Sequence, residues 1–594
     1  MKIGQGDTQQ KSRLGLFATV ACLGLIALSL TGGDVLGQGA AKAKKKGKSK
    51  KAAVTAQKGA NAAKAGVLPP PAITVLIKNS SETFGDLEHI FGLAGAPAQA
   101  KTLTDTIDLF LKGVSRNKPL SLQAYAAGPD LKYVVALPIA DAKTLKEFLK
   151  NCNDVDLENR PVSGVPDLYS IGGLIEAGAY LKYDPKLLYA VMAEWREEVD
   201  AYKGLPPAAL LDTDDVVILV ESTASQAVER KTTFARARKE SVDALKRGPK
   251  ETQTAFDLRK QALINQLDEF ERFFAEGEKI RIGWTTDAPA NKANLSVTLK
   301  ALAGTGLEAS VRLIGTHPGE FGGIPAEGAV VRGNINFPLD DLRKKQFENY
   351  IKLTKAAIEE QVDSNDKLTA AEKDSGRQLA EIGQEIANGV AKTGVLNAFI
   401  RVYPAGTGKY TTVAGGKVDD TSKFVDLLKA AAERLGGPDR FQQDVDSEGD
   451  VKIHTLSLAA YQKDYPEIIA DDGKMYIGLA GKKLWLAGGE GALAKLKEAI
   501  QANAKETPSS TGPAIEFEGN VAPWLAIYDR RMDKKGDKAL RTQALEAFAA
   551  GGKDTWGMTL VRDGDVVKLA VRFDEGILRM TGKVGAKFVK ESLE

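Results

Sequence analysis

Two stretches of the chain share one pattern of apolar and polar positions. Residues 180–194 run Y-L-K-Y-D-P-K-L-L-Y-A-V-M-A-E, and residues 476–490 run Y-I-G-L-A-G-K-K-L-W-L-A-G-G-E. Each stretch is an apolar run, a turn at Asp184-Pro185 or Ala480-Gly481, and a second apolar run with an aromatic residue. Short apolar runs on both sides of a turn are typical of β-hairpins. The sequence therefore predicts the same hairpin twice.

The similarity continues on both sides of the hairpins. Each copy begins with a strand and a helix, continues with two strands and a helix whose apolar residues recur at i, i+3 and i+4, and leads through one more strand into the hairpin. Each copy then adds a strand and closes with a meander of three strands. The predicted meander strands are 280–286, 293–302 and 307–314 in the first copy, and 555–561, 566–573 and 577–584 in the second.

We therefore predict an α+β fold made of two tandem copies of an antiparallel-sheet-plus-helices unit. The first copy spans 72–316 and the second spans 328–590. Long charged helical insertions, 222–277 and 340–393, interrupt them and have sparse apolar periodicity. Such segments form helical hairpins that lean on the sheet or project as short coiled coils, where they could bind a protein partner. The pattern does not predict how the two sheets meet.

The N-terminus has the order of an export signal. Residues 1–39 contain a basic start, an uncharged apolar run at 14–30 and small residues after it, which predicts a secretory signal peptide; the alternative is an uncleaved membrane anchor. Residues 40–71 form a Lys/Ala/Pro-rich linker that is too poor in large apolar residues to fold. We expect a protein that is secreted or held in the periplasm or cell envelope.

The charge of the chain is concentrated in this linker. Residues 41–65 contain nine lysines and no acidic residue, whereas the whole chain has a net charge of only +3, so the folded part is mildly acidic. A lysine-rich arm suits nonspecific contact with an anionic envelope polymer or lipid. It lacks the arginines and aromatic residues of sequence-specific nucleic-acid binding, which we do not expect.

Length and cysteine content limit the possibilities further. A chain of 594 residues exceeds a single hydrophobic core, and its 43% hydrophobic and 27% charged residues are ordinary for globular proteins. The two cysteines are Cys22, inside the predicted signal peptide, and Cys152. Export would leave Cys152 alone, so no disulfide can form within the mature chain.

Residues that commonly carry chemistry are scattered. His89, His317 and His454 lie far from one another and from cysteine, and Cys152 has no flanking nucleophile signature. The chain contains neither a G-x-S-x-G elbow nor a G-x-x-x-x-G-K-[ST] phosphate loop. We therefore predict no catalytic, cofactor-binding or metal-binding residues and no cofactor, although a histidine site assembled across the fold stays open.

One motif imitates a dinucleotide fingerprint. Residues 489–494, G-E-G-A-L-A, fit G-x-G-x-x-A and lie between a strand and a helix. However, the strand belongs to a hairpin, the first copy has no matching glycine pair, and no clear parallel strand with a terminal acid follows. The glycines therefore indicate a tight strand-to-helix turn.

Two acidic runs resemble calcium loops. They are 212–215 and 444–450, and the second lacks a glutamate at the twelfth position, where Thr455 stands. We predict solvated turns, with weak calcium binding as the alternative.

Aromatic residues also recur at matched strand positions, where we predict core packing, with a carbohydrate- or lipid-contacting face as the alternative. These aromatic residues are Tyr180, Tyr189, Trp284, Tyr476, Trp485 and Trp556.

A wider resemblance joins these features. The export segment, the Lys/Ala arm, the Tyr/Trp hairpin and the element Leu137-Pro138-Ile139-x-Asp141 followed by Phe148-Leu149 resemble uncharacterised secreted proteins of planctomycete-type bacteria. The resemblance implies an envelope location and a role without known catalysis, and it supplies no catalytic residues. Our leading hypothesis is a binding or scaffolding module without catalytic activity. The alternatives are a carrier of an apolar ligand between sheet and helices, and a hydrolase whose site assembles across the fold.

Overall fold

The structure is a computed structural model. It describes residues 71–593, except 128–129, 154–156, 158–159, 172–179, 194–195, 203, 205–207, 250, 367, 435–436, 464, 510–511 and 523–537. The predicted signal peptide and the lysine-rich arm lie outside the described residues, as do Cys22 and Glu194.

Strands and helices alternate along the described chain. The strands are β1 Ile73–Ile77, β2 Leu120–Ala127, β3 Asp130–Pro138, β4 Leu168–Ser170, β5 Tyr180–Asp184, β6 Tyr189–Ala193, β7 Val216–Glu221, β8 Gly277–Asp287, β9 Lys292–Ala301, β10 Val331–Pro338, β11 Val395–Pro404, β12 Tyr410–Lys417, β13 Phe441–Glu448, β14 Val451–Ser457, β15 Lys474–Ala480, β16 Lys483–Gly488, β17 Ile515–Asn520, β18 Thr555–Asp563 and β19 Val566–Phe573. The helices are α1 Ser80–Leu93, α2 Pro97–Phe110, α3 Ala142–Asn153, α4 Arg196–Ala201, α5 Ala224–Ala244, α6 Gln253–Glu276, α7 Gly306–Leu313, α8 Asp341–Asp363, α9 Ala370–Thr393, α10 Phe424–Arg434, α11 Ala492–Lys505, α12 Lys538–Ala549 and α13 Glu575–Ser592.

All nineteen described strands belong to one sheet, and every pairing between them is antiparallel. The order across the sheet is β4-β5-β6-β3-β2-β1-β7-β8-β9-β19-β18-β17-β10-β11-β12-β16-β15-β14-β13. The chain therefore has the predicted α+β fold. Both predicted hairpins are present, as β5–β6 and β15–β16.

The two halves of the chain meet edge to edge at the middle of this sheet. β9 pairs with β19, and Ser296 stands opposite Ala570 near the centre of the pair. Apolar residues alternate along β9, where Ala293, Leu295 and Leu299 are buried. The same alternation fits a strand at the end of a sheet or a strand in its middle, because period 2 fixes only which side chains share a face.

Alternation also lets helices cover both faces of the sheet. In β16, Leu484 and Leu486 pack towards α9 and α10, whereas Trp485 and Ala487 pack towards α11. In β6, Ala190 and Met192 pack towards α3, whereas Val191 and Ala193 pack towards α4. β6 and β16 are thus buried on two sides, which explains why their sequences are almost wholly apolar.

Helices from one half pack on helices of the other. The C-terminal helix α13 packs against α1, and α6 packs against α8. Gly582 makes the first contact close, since it leaves the α13 backbone near Ile90 of α1. An ion pair contributes to the contact between α6 and α8, because Arg343 of α8 lies 2.7 Å from Glu269 of α6. The halves are therefore joined by helices as well as by strands.

The structure corrects the prediction of a third meander strand in each half. Residues 307–314 lie mainly in helix α7, and residues 577–584 lie in helix α13. The Thr305 side chain accepts a hydrogen bond from the Glu308 amide and starts α7, while Leu307 and Val311 bury one face of the helix. A third meander strand could not pair beside β9 or β19, because these two strands already pair with each other at the edges where it would lie.

The structure also corrects the second acidic turn. Asp444, Asp446 and Glu448 belong to strand β13, and only residues 449–450 form the turn into β14. β13 is the last strand of the sheet, and the residues from Gln442 to Val445 are exposed. Charged residues and irregular backbone on an edge strand prevent pairing with other chains, which accounts for the acidic sequence.

Candidate functional site

The turn that resembles a dinucleotide fingerprint lines one candidate site. A cavity of about 680 Å³ opens where β15 begins, β16 ends and α11 begins. The backbone of residues 489–494 forms one wall, and Tyr476 projects from β15. The charged lining residues are Asp471, Asp472, Glu490 and Lys497.

The glycines of this turn are explained by packing. Gly489 has φ of +100°, and a β-carbon there would overlap the Tyr410 carbonyl and lie 2.9 Å from the Thr411 α-carbon. Gly491 is the N-cap of α11 in the left-handed region, with φ of +69°. The close backbone requires glycine at position 489, and the positive φ favours glycine at position 491, without any phosphate.

The charges of the cavity also oppose a dinucleotide. Three carboxylates line it, and Lys497 is engaged with Asp446 at 2.7 Å. Burial and the nearby Asp472 raise the pKa of Tyr476, which keeps its hydroxyl neutral. β16 pairs with β12 and β15, whereas β17 pairs with β10 and β18, so no parallel β-α-β unit surrounds the turn. The cavity suits a small polar or cationic molecule better than a pyrophosphate.

A second cavity, of about 610 Å³, lies between α8 and α9. Its lining alternates in charge and has no group placed to act as a nucleophile with a base. The charged lining residues are Glu348, Lys352, Lys355, Glu359, Glu385 and Lys392. This arrangement is a solvated groove between two charged helices.

The three histidines lie on separate elements. His89 is in α1, His317 is half-buried in the loop after α7, and His454 is 1% exposed in β14. Within the described ranges, no group of three or more His, Cys, Asp or Glu side chains could hold a metal ion. Cys152 falls in α3, but its side chain is outside the described part. The structure does not bring these residues together.

The first acidic run contributes to a buried carboxylate cluster. Asp214 accepts a hydrogen bond from the Thr285 hydroxyl at 2.8 Å and pairs with Arg281 at 2.6 Å. The neighbouring Asp215 accepts the Thr286 amide at 2.7 Å, and its carboxylate lies 4.0 Å from the Lys78 ammonium. Asp214 and Asp215 fix the start of β7, which corrects the prediction of a solvated turn for these two residues, whereas residues 212–213 lie in an exposed turn.

Asp86 of α1 completes this cluster, and the sequence gives no signal for it. Burial, together with the negative charges of Asp215 and Glu82, raises the pKa of Asp86 to about 7. Burial also raises the pKa of Asp215. Perturbed carboxyls mark functional sites in some proteins and structural clusters in others. Here the surrounding contacts tie α1, β1, β7 and β8 together.

The matched aromatic residues lie in apolar clusters. Trp485 is 1% exposed and contacts Phe321 and Phe399 at ring-centroid distances of 5.5 and 5.6 Å. Trp284 stacks on Phe573 at 6.1 Å, in a cluster that also includes Trp556. Tyr189 is buried, and Tyr180 and Tyr476 pack at the margins of clusters. Each of these side chains packs against the protein interior.

Comparison with known proteins finds no relative. No family model matches the chain, and neither curated proteins nor solved structures give a match. Among the helices that the structure describes, none combines the length and the apolar character needed to span a bilayer.

Proposed function

We propose that this protein is an exported binding or scaffolding module without catalytic activity. The helical pairs α5–α6 and α8–α9 serve as contact arms, and the sheet serves as their platform. The observation that carries the proposal is the position of exposed apolar residues. Of fourteen exposed large apolar side chains in the described chain, five lie on these four helices. They are Val228, Phe270, Phe274, Tyr350 and Ile358.

The clearest contact surface lies on α6. Phe270 is 59% exposed, and Phe274, one helical turn later, is 40% exposed. Phe234 of α5 lies beside Phe274 at 6.1 Å, and the Arg230 guanidinium covers the same ring at 5.2 Å. Neighbouring exposed aromatic rings beside an arginine have the composition of a protein-binding surface.

The arms are held firmly enough to present this surface. Arg272 of α6 pairs with Asp340, the N-cap of α8, at 3.0 Å. Arg343 of α8 donates to Ser310 of α7 at 2.6 Å and to Glu269 of α6 at 2.7 Å. Pairs that join three helices in a half-buried interface restrict their relative motion, which lowers the entropic cost of binding a partner.

The spaces between sheet and helices favour this proposal over a carrier. Apolar side chains fill the described interface of α10 with the sheet and that of α13 with the sheet. Both cavities of several hundred cubic ångströms open beside polar and charged side chains. A carrier of an apolar ligand requires an apolar cavity, and a hydrolase requires converging catalytic groups.

We propose further that the two halves are tandem copies of one unit with long helical insertions. The pairing order β4-β5-β6-β3-β2-β1-β7-β8-β9 has the same connections as β14-β15-β16-β12-β11-β10-β17-β18-β19. Helix pairs follow β1 and β10 alike, since α1–α2 and α8–α9 occupy the same place in the order. Strand β13 has no counterpart in the first half of the described chain.

The lysine-rich arm is proposed as a tether to an anionic envelope polymer or lipid. Its test uses the full mature chain and a variant in which the nine lysines of 41–65 are replaced by glutamine. Only the wild type is expected to sediment with phosphatidylglycerol vesicles, and neither protein with phosphatidylcholine vesicles. Equal sedimentation of both proteins with the anionic vesicles would remove the arm from the proposal.

Site-specific photocrosslinking tests the contact arms. A photoreactive phenylalanine replaces Phe270 in one variant and Glu240, an exposed polar residue of α5, in the matched control. Irradiation in the native cell envelope is expected to give a discrete protein adduct at position 270 and none at position 240. Adducts of equal yield at both positions, or at neither, would contradict a specific contact surface on α6.

A further inference from the structure

His454 stands opposite an irregularity in the edge strand. β13 and β14 pair regularly at Gln442–Thr455 and at Asp446–Ile453, and the register shifts between these pairs. Residues 443–445 therefore bulge opposite the single residue His454. Asp444, in the middle of the bulge, has φ of +51°, a conformation that aspartate adopts only at a cost.

One hydrogen bond holds the bulge to the ring. The Asp444 amide donates to Nδ1 of His454 at 3.1 Å. A backbone N–H can only donate, so Nδ1 must carry a lone pair and Nε2 must carry the proton. The imidazole is therefore neutral in this arrangement. The Asp444 carboxylate lies 3.5 Å from the same nitrogen.

The surroundings of the His454 ring leave its Nε2–H without an acceptor in the described chain, which makes the neutral imidazole energetically unfavourable. His454 is 1% exposed and lies beside Phe441 at a centroid distance of 5.7 Å. Its Nε2 is buried and has no hydrogen-bond partner among the described residues. A buried N–H without an acceptor is uncommon in folded proteins and calls for an explanation.

We propose that His454 and Asp444 form a pH-operated latch on the edge strand. With a neutral ring, Nδ1 accepts the Asp444 amide and the bulge is closed. Protonation of Nδ1 turns the acceptor into a donor, so two N–H groups face each other and the bond is lost. The imidazolium then turns to the Asp444 carboxylate, and residues 443–445 separate from β14.

Charged neighbours shift the equilibrium between the neutral and the protonated ring of His454. Asp444 of β13 favours the imidazolium, whereas Lys452 of β14 and Lys429 of α10 oppose it. Arg440 belongs to the short turn 438–440 that packs on both strands, and Ile477 of β15 is the neutral cross-strand neighbour. Burial lowers the pKa of His454, so the latch opens only below the usual titration range of histidine.

The opening is confined to the bulge. Asp446 pairs with Lys497 of α11 at 2.7 Å, and Glu448 accepts a hydrogen bond from Gln501 of α11 at 3.0 Å. These two contacts hold the C-terminal end of β13 to the sheet at either protonation state of His454. The proposal is independent of the binding role proposed above.

Amide exchange in residues 441–448 tests the latch on the full mature chain. The protection factor, which is corrected for the intrinsic pH dependence of exchange, is measured from neutral pH to the onset of acid unfolding. Loss of one hydrogen bond predicts an approximately tenfold fall in protection of the Asp444 amide on acidification. Protection of β15 should stay constant over the same range.

His454→Asn is the matched control, because its side-chain oxygen replaces Nδ1 as an acceptor and does not titrate. The variant is expected to keep its protection at every pH. An equal fall in the variant and the wild type would overturn the proposal. If the variant does not fold, the imidazole proton resonances of wild-type His454 decide: titration together with the Asp444 amide supports the latch, and an imidazole that stays neutral until unfolding refutes it.

Discussion

Gly582 of α13 lies directly against the carbonyl of Ile90 in α1, and a β-carbon at position 582 would also come within 2.8 Å of the Ala94 side chain. The contact joins a helix of the second half to a helix of the first. Only a residue without a side chain allows the two backbones to approach this closely.

We expect Gly582→Ala to destabilise the protein by about 1–3 kcal/mol, the usual cost of forcing extra atoms into a packed interface. Gly383→Ala in α9 is the matched control, since a β-carbon there meets nothing within 4 Å. Its helical position predicts a gain of about 0.5–1 kcal/mol. Urea unfolding of both variants checks the pair, and similar changes in the two would show that the close contact carries no energy.

The carboxyl of Asp86 should make stability fall as pH rises. Its pKa is about 7 in the folded protein and 3.8 as a free side chain, so the unfolded chain loses this proton first. The contribution of Asp86 to the free energy of unfolding is therefore complete below pH 3.8 and declines until about pH 7. Asp86→Asn behaves like the protonated form at every pH.

Thermal unfolding at pH 4 and pH 8 measures this effect. The Asp86→Asn variant should resemble the wild type at pH 4 and exceed its stability at pH 8. Asp105→Asn, at an exposed position of α2, is the control and should show no such divergence. A constant difference between Asp86→Asn and the wild type at both pH values would contradict the raised pKa.

Arg343 should contribute more to stability than a surface arginine. Its side chain is 18% exposed and is bonded to Glu269, Asp340 and Ser310. We expect Arg343→Ala to cost about 1–3 kcal/mol, between the values for exposed and fully buried pairs. Lys239→Ala removes the exposed Lys239–Asp243 pair of α5 and should leave the free energy of unfolding almost unchanged.

A double-mutant cycle with Glu269→Gln separates the pair from other effects of the substitution. Coupling between positions 343 and 269 is expected, because their side chains contact each other across two helices. Additive effects of the two substitutions would mean that the ion pair does not join α6 to α8.

The two glycines of the fingerprint-like turn should differ in how well the protein tolerates their substitution. Gly489→Ala places a β-carbon against the Tyr410 carbonyl and should lower the melting temperature by about 1–3 °C, as expected when a chain of this length loses about 1–3 kcal/mol. Gly491→Asn should be tolerated, because asparagine adopts the left-handed conformation and nothing lies within 4 Å. A melting scan compares them, and equal tolerance would contradict a packing role for Gly489.

Most strands and the long helices follow from the sequence. Alternating apolar residues around Asp184-Pro185 and Ala480-Gly481 predict hairpins, and β5–β6 and β15–β16 confirm them. The helical pattern at 222–277 likewise matches α5 and α6. Such signals are local, because each depends on residues within one or two turns of the chain.

The candidate sites were only partly predictable. The glycines at 489 and 491 were correctly predicted to form a strand-to-helix turn, since the preceding strand belongs to a hairpin. The raised pKa of Asp86 and the bond between Asp444 and His454 have no sequence signal. Each depends on burial and on a partner from another segment, and neither is encoded in the spacing of residue types.

The local pattern of apolar residues thus predicts the alternation of strands and helices and the α+β class. The structure adds that β9 and β19 join the halves into one sheet, that α7 and α13 replace a third meander strand, and that β13 forms an edge. Period and propensity fix only which side chains share a face. Which edge is free, which helix covers it and which polar group is buried depend on contacts between distant segments.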